Sequence, residues 1–599
     1  MKVIEQEESP SRETGADPKS EENVLQNVTT GGSSNTTESV AYGQHAFEVD
    51  DQGEPNDLVE ELRQHATENP VLADLRKERT AWAIEQIRRL GPEADWDTLR
   101  SVTTSKLAQD VRIANVGIKD GGKLPVPSRL PYQTAAEMLL ALDPIHRIGA
   151  PQIEDGDEPL GWYVEDGPDA GTYTTNEKVF TRKILALEDS LSSSERYETL
   201  HLLHAKASTV QVVQDPELIP VKNGIIHYTK GEFFPHDPDY VFMSKIATDL
   251  SANPKHPDLR LSDGRFFHID DMMFDLADGD EELVELLWQI IGAVLRPNMA
   301  WGKVGFLLGE GKNGKSTFIE LLRNVVGPSV VANLRLHQLG HEFLVGAELP
   351  GKTAVIADEN PPNTYLDDSS NLKQLVMGEP LLLNRKHREP INYQFKGMVI
   401  QSFNDMPRTK DKSTGMYRRI IAVPFNHSFK GQKDFPEIKK EFMLNKQLHE
   451  YVLHQALIER PKFYKIHVPP AAQRHLETFK LSNDPVRAFW NKFRERFAWG
   501  LLMWDFIYDL YKQWMKFENP EGKMLSLDKV RESLEKILED DNEWEILKKQ
   551  IRVGVRMDGY ESLIEEYKLP PFWANKNSGT DHGWTGKKYY LKGRDRIYG

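Results

Sequence analysis

The chain has 599 residues, more than one hydrophobic core of about 250–300 residues can serve, so several domains are expected. A formal net charge of −17 excludes a uniformly basic nucleic-acid coat, and the lack of cysteine excludes disulfides, thiolate zinc sites and a cysteine nucleophile. No apolar run approaches the roughly 20 residues of a membrane span, and the N-terminus lacks a signal peptide's apolar core, so a soluble intracellular protein with no membrane partner is expected.

Residues 1–60 are polar and low in complexity, as in Thr29-Thr30-Gly31-Gly32-Ser33-Ser34, and read as a disordered tail. Residues 61–160 carry helical patterns such as Ala81–Leu90 but no polymerase-type carboxylate pair, and stay unassigned. From 161 the texture turns to short strands: Gly161–Val164 and Gly171–Tyr173 read as a hairpin, and Asn223-Gly224 between apolar residues is a turn signal. His236 and Asp237 lie in a Pro-rich turn and lack the further ligands a metal site needs. Leu283, Leu286, Leu287, Ile290, Ile291, Val294 and Leu295 then recur at helical spacing, which predicts a collar helix docking one apolar face.

The central signal is Gly309-Glu310-Gly311-Lys312-Asn313-Gly314-Lys315-Ser316, between the apolar run Val304–Leu308 and the helical pattern starting at Thr317. Strand, glycine loop and helix is the context in which G-x-x-x-x-G-K-[ST] cradles phosphates on backbone N–H groups at a helix N-terminus. Lys315 is expected to reach the β- and γ-phosphates of ATP and the Ser316 hydroxyl to ligate Mg²⁺. A second buried strand ends in Asp358 and Glu359, suited to holding Mg²⁺ through water and to polarising the attacking water. A third, Gly397–Phe403, leads into Asn404, a neutral amide where a motor ATPase places its sensor.

Between the second and third strands, two apolar arms flank the basic tip Arg385-Lys386-His387-Arg388, which reads as a β-hairpin. Residues 381–430 hold ten lysines and arginines against three acids, +7 locally, and the tip is read as a nucleic-acid backbone contact. Beyond the sensor, Arg418-Arg419 enter a strand, and such an arginine suits a finger reaching a neighbouring subunit's γ-phosphate.

In this order and spacing the elements resemble the superfamily 3 helicases, and more narrowly the phage/plasmid primase family and the related poxvirus primase-helicase. Gly309, Gly311, Asn313, Gly314, Lys315, Ser316 and Thr317 match that family's G-x-G-x-N-G-K-S-T loop. Asp358-Glu359 match its acidic strand end, Asn404 with Met406-Pro407 its N-x-x-P sensor, and Arg418, ahead of Arg419, its finger. Gly171-Thr172-Tyr173, Pro235–Pro238, Ser482–Val486 and the 584–593 stretch, read as a basic wing, carry weaker likeness on either side, so the resemblance covers roughly 160–599.

The resemblance implies an α/β protein: a P-loop AAA+-type ATPase core, a helical/mixed N-terminal domain and a C-terminal winged-helix region. The expected division is 1–60 tail, 61–160 unassigned helical region and 161–296 domain preceding the motor, ending in the collar. The ATPase core follows at 297–430, then a helical connection at 431–480 and a winged-helix-like DNA-binding region at 481–599. It further implies a hexameric ring moving 3′ to 5′ along single-stranded or forked DNA to replicate a phage, plasmid or other mobile element, in the host cytoplasm and alongside other replication proteins. Two alternatives stay open: a primase-helicase with an unrecognised N-terminal primase, and an ATP-gated DNA-binding initiator that unwinds nothing.

Overall fold

A computed structural model of the chain describes residues 40–42, 45–47, 69–91, 95–150, 153, 158–361, 364–385, 388–429, 435–518, 524–539, 541, 543–547, 551–552, 560–573, 587–588 and 590–593. Two compact units emerge, residues 1–79 with 106–126, and residues 80–105 with 127–599. In the first, Val40–Tyr42 pairs antiparallel with His45–Phe47, within the stretch read as a disordered tail; the rest of residues 1–60 lies outside the described residues. Its apolar cluster is small, Leu72 and Leu75 packing against Leu107, Val111 and Leu124, and Arg79 forks onto Asp110.

The second unit opens with a four-stranded sheet in the order Thr172–Thr174, Leu160–Val164, Ile145–Gly149, Thr209–Gln211, built over buried Trp162, Phe180, Ile184 and Leu203. Tyr163 stands opposite Tyr173, as the predicted hairpin requires. The next hairpin differs by one residue from the sequence reading: Val221 pairs with Gly224, so Lys222-Asn223 form the turn. Gly224 is needed for space, because a Cβ there would lie 2.5 Å from the Phe234 carbonyl oxygen on the third strand.

Helix α1 (Glu281–Val294) is the predicted collar, capped by the Asp280 carboxylate, which accepts from the Glu282 and Leu283 N–H groups. Its burial corrects the one-faced reading, because Trp288, Gln289 and Ala293 are buried along with the predicted stripe. The stripe joins the core of the five-stranded parallel sheet, while the second face is covered by the segment that follows that sheet. There Arg460 lies over Trp288 and donates to Glu285, and Gln289 accepts from the His467 N–H.

At the centre of the second unit is one parallel sheet. Its strands are β1 (Val304–Leu308), β2 (Val331–Ala332), β3 (Ala354–Ala357), β6 (Met398–Phe403) and β7 (Ile420–Pro424), in the spatial order β2-β3-β6-β1-β7. Every residue of these strands is buried, as a sheet covered on both faces demands; the runs are apolar except for Gln401 and Ser402. Helix α2 (Lys315–Val326) follows β1, and the short α3 (Glu342–Glu348) precedes β3. Between β3 and β6 the strands β4 (Pro380–Arg385) and β5 (Arg388–Gln394) form the predicted antiparallel hairpin, with Arg385 opposite Arg388 at its tip. After β6, the single-turn α4 (Thr414–Tyr417) leads into β7.

Helix α5 (Pro470–Asn483) carries the chain away from the parallel sheet, with Phe479 set edge-on to Tyr417 at 5.8 Å and the Asn483 side-chain oxygen accepting from the Thr409 N–H. Asp484 then caps α6 (Pro485–Phe493), accepting from the Val486 and Arg487 N–H groups. The remaining elements are β8 (Leu501–Met503), α7 (Trp504–Glu518), α8 (Leu527–Leu538), β9 (Trp544–Ile546) and β10 (Tyr590–Gly593), with β10 between β8 and β9 in an antiparallel sheet. An aromatic core holds them, including Phe489, Trp490, Tyr511, Trp544 and Trp573. Within the predicted wing, Lys587–Lys588 pairs with Ile551–Arg552, while residues 584–586 and 589 lie outside the described residues. Among the described residues no helix is long and apolar enough to cross a membrane.

Candidate functional site

At the C-terminal end of β1 the chain turns through Gly309–Gly314 into α2. Gly314 has φ 83° and a Cβ on it would sit 2.2 Å from the Leu276 side chain, so both conformation and space require glycine there. Lys312 also sits at positive φ (66°), a strained setting for a side-chain-bearing residue. Asn313 braces the loop: its side-chain N–H₂ donates to the Phe425 carbonyl at 3.0 Å, and its oxygen accepts from Lys315 Nζ at 3.0 Å. Its predicted role was ligand contact; the structure makes it first a strut between the loop and the end of β7.

Lys315 is buried, with its ammonium donating to the loop's own Gly309 carbonyl as well as to Asn313. Burial pulls its pKa below the ordinary lysine value, and the nearby Asp358 carboxylate pushes it back up. Ser316 Oγ donates to Asp358 Oδ1 at 3.0 Å, bringing a hydroxyl and a carboxylate from α2 and the β3 end into contact.

These residues line a cavity of about 590 Å³ together with Gly311, Thr317, Glu359 and Asn404. Glu359 and Asn404 are exposed to it, one at the end of β3 and the other at the end of β6. Glycine loop, acidic pair and amide, separate in sequence, therefore meet in one place. The set suits Mg²⁺·ATP: oxygen ligands at Ser316 and Asp358, and an ammonium curled onto backbone carbonyls that a phosphate would replace.

Three lining or supporting residues escaped the sequence reading. Arg335 lines the same cavity. Asn360 lines it too and is backed by Gln401, both buried: the Asn360 oxygen accepts from the Leu336 N–H at 2.8 Å and its N–H₂ donates to Gln401 Oε1 at 3.0 Å, while Gln401 Nε2 donates to the Leu334 carbonyl at 2.9 Å. A polar residue amid the apolar run Met398–Phe403 was the only readable hint.

Arg418 does not line this cavity. It is exposed at the entry to β7, and Ile420 pairs with Val304, so it sits by the opposite end of β1 from the glycine loop, a strand's length of about 13 Å away. Its carbonyl accepts from Lys303 Nζ at 2.6 Å, whereas the Arg419 guanidinium is tied back to the Gly415 carbonyl. At the hairpin, Lys386 and His387 lie outside the described residues; Arg385 and Arg388 end the paired strands that carry them.

Three family profiles match in succession. A "D5 N terminal like" profile covers residues 157–268, a family of unknown function (DUF5906) covers 307–419, and a "Poxvirus D5 protein-like" profile covers 481–571. A curated relative from Acanthamoeba polyphaga mimivirus, "Putative helicase L207/L206", is 24% identical over 232 residues, 37% of this chain and 23% of the relative, so the match spans under a quarter of that protein. Among solved structures, two apo forms of the NrS-1 C terminal region align at 13% identity. One has a TM-score of 0.40 over 70% of this chain and 96% of that one, the other 0.38 over 66% and 87%.

Proposed function

For a chain that belongs with the D5-like primase-helicases, we propose ATP-driven unwinding of DNA, by copies assembled into a closed ring, in the replication of a virus, phage, plasmid or other mobile element. The observation that carries this reading is the meeting of Lys315, Ser316, Asp358, Glu359 and Asn404 around one cavity while Arg418 stands exposed at the far end of the sheet.

The strand order supports a P-loop AAA+-type core spanning 297–430, and the α6-to-β10 arrangement supports a winged-helix-like DNA-binding region within 481–599. Lys315 and the loop N–H groups would hold the β- and γ-phosphates, with Ser316 and Asp358 holding Mg²⁺. Glu359 would orient and deprotonate the lytic water, and Asn404 would hydrogen-bond it without adding charge. Bound Mg²⁺·ATP supplies the phosphoryl bond whose cleavage drives movement. Arg418 cannot reach its own chain's cavity along the sheet, so it would serve a neighbour's, and a ring gives every site such a neighbour. The hairpin, with Arg385, Lys386, His387 and Arg388, would grip backbone phosphates in a salt-sensitive, sequence-tolerant way and carry the strand 3′ to 5′.

A DNA-binding initiator gated by ATP would share the cavity and the C-terminal region. Strand displacement on forked DNA separates the two. The motor reading expects displacement that requires ATP and is lost in Lys315→Ala, and expects Lys386→Ala with His387→Ala to keep basal hydrolysis and lose its stimulation by DNA. Origin binding with no displacement under any condition would favour the initiator.

A further inference from the structure

A second cavity, of about 410 Å³, lies where α4 meets α5, α6 and α8. Its cations are Arg418, Lys480, Arg487 and Arg494, and its acids are Glu477 and Asp541. Both acids are already engaged. Glu477 accepts from Lys480 at 2.5 Å; Asp541 accepts from the Glu543 and Trp544 N–H groups with one oxygen and from the Trp490 indole N–H with the other. Arg494 also lies 3.5 Å from Glu495 outside the cavity, but within it four cations face the two acids Glu477 and Asp541, so the lining is net positive. Like charges so placed repel unless an anion enters.

Two further groups point the same way. Tyr417 Oη and Arg487 Nε are buried donors without a hydrogen-bond partner among the described residues, and both side chains line this cavity. Unsatisfied buried donors are rare and call for an explanation such as a bound ligand. Arg487 and Arg494 lie seven residues apart, two turns along α6 and its end, so they address one face. Guanidinium forks on one side and a phenol on the other are a donor set for tetrahedral oxyanions.

We propose that this cavity is a phosphoryl-binding site, separate from the glycine-loop cavity, in which Arg487, Arg494 and Tyr417 hold the oxygens of a phosphate carried by a nucleotide or by a nucleic-acid backbone. Binding there does not depend on the motor reading; only one consequence does, namely that an occupied site would fix the position of the neighbouring Arg418.

The test uses the full chain carrying Lys315→Ala, which disables the glycine loop, with pyrophosphate as the probe in a calorimetric titration at low salt. The expected result is one equivalent bound per chain, weakened at least tenfold by Arg487→Gln and, independently, by the more peripheral Arg494→Gln, each checked for native circular dichroism. Competition distinguishes the sources: displacement of pyrophosphate by a short oligothymidylate assigns the site to backbone phosphate, and displacement by ATP alone assigns it to nucleotide. No binding in the Lys315→Ala chain, or unchanged affinity in both arginine variants, would overturn the proposal whatever the motor activity proves to be.

Discussion

Asn360 donates from its side chain to Gln401 Oε1 at 3.0 Å, and this buried amide pair joins the β3 end, which carries Glu359, to the β6 strand, which carries Asn404. The pair also anchors the 334–336 segment next to Arg335, through the Leu336 N–H and the Leu334 carbonyl. Truncating Asn360 strands several buried polar groups, each costing about 1–3 kcal/mol. Asn360→Ala is therefore expected to lower unfolding free energy by roughly 2–3 kcal/mol in urea titrations and to lower turnover more than nucleotide affinity. Unchanged stability would mean the pair does not position the two strand ends.

Glu359→Gln keeps the size and the exposed position of the side chain but removes its basicity. Nucleotide and DNA binding are expected to persist while kcat falls by about 10²-fold or more, the range of a lost general base. Steady-state hydrolysis beside a binding titration checks this, and undiminished turnover removes Glu359 from the role of base.

Lys315 illustrates what burying a charge at the candidate site costs. Its folded-state pKa is pulled down by burial, so its charge is disfavoured on folding, and that penalty is fully present at neutral pH, easing only as pH rises towards the unfolded value. Lys315→Met is expected to raise the melting temperature of the nucleotide-free chain. It should also abolish the gain from nucleotide, about 2.7 kcal/mol at a hundredfold excess over Kd. A nucleotide-dependent shift surviving in the variant would contradict the assignment.

His256 predicts a pH dependence of stability. Its Nδ1–H donates to the Pro257 carbonyl and its Nε2 accepts from the Ile269 N–H, an arrangement only the neutral ring can make. Burial, with His268 5.1 Å away, holds its pKa below the usual histidine value. The unfolded chain therefore takes up a proton first as pH falls. The contribution is complete above about pH 6.5 and declines below it until the folded ring also protonates. His256→Gln is expected to reduce the slope of stability against pH between 6.5 and 5 by up to about 1.4 kcal/mol per unit.

The parts of the site legible in the sequence were those written as continuous stretches. Val304–Leu308 and Ala354–Ala357 are unbroken apolar runs, and Met398–Phe403 is apolar but for Gln401 and Ser402; each is followed at once by its chemical residues, so strand and site could be read together. The hairpin's paired strands were legible from its two apolar arms. The Asn360–Gln401 contact was not, because nothing in one amide announces a partner 41 positions away. The collar's second buried face was missed for a similar reason: its cover, around Arg460 and His467, arrives only after the whole parallel sheet has been threaded. The cavity beside Arg418 draws on residues from 414 to 541 and has no local signature.

Mixing two inactive variants tests the central claim most directly. Lys315→Ala lacks a working glycine loop but keeps Arg418, and Arg418→Ala lacks the finger but keeps the loop. If each cavity is completed by the arginine of an adjacent copy, each variant hydrolyses ATP poorly alone, and an equimolar mixture regains activity at seams that pair an intact loop with an intact finger. A mixture no more active than its two components, or full activity in Arg418→Ala by itself, would contradict the account.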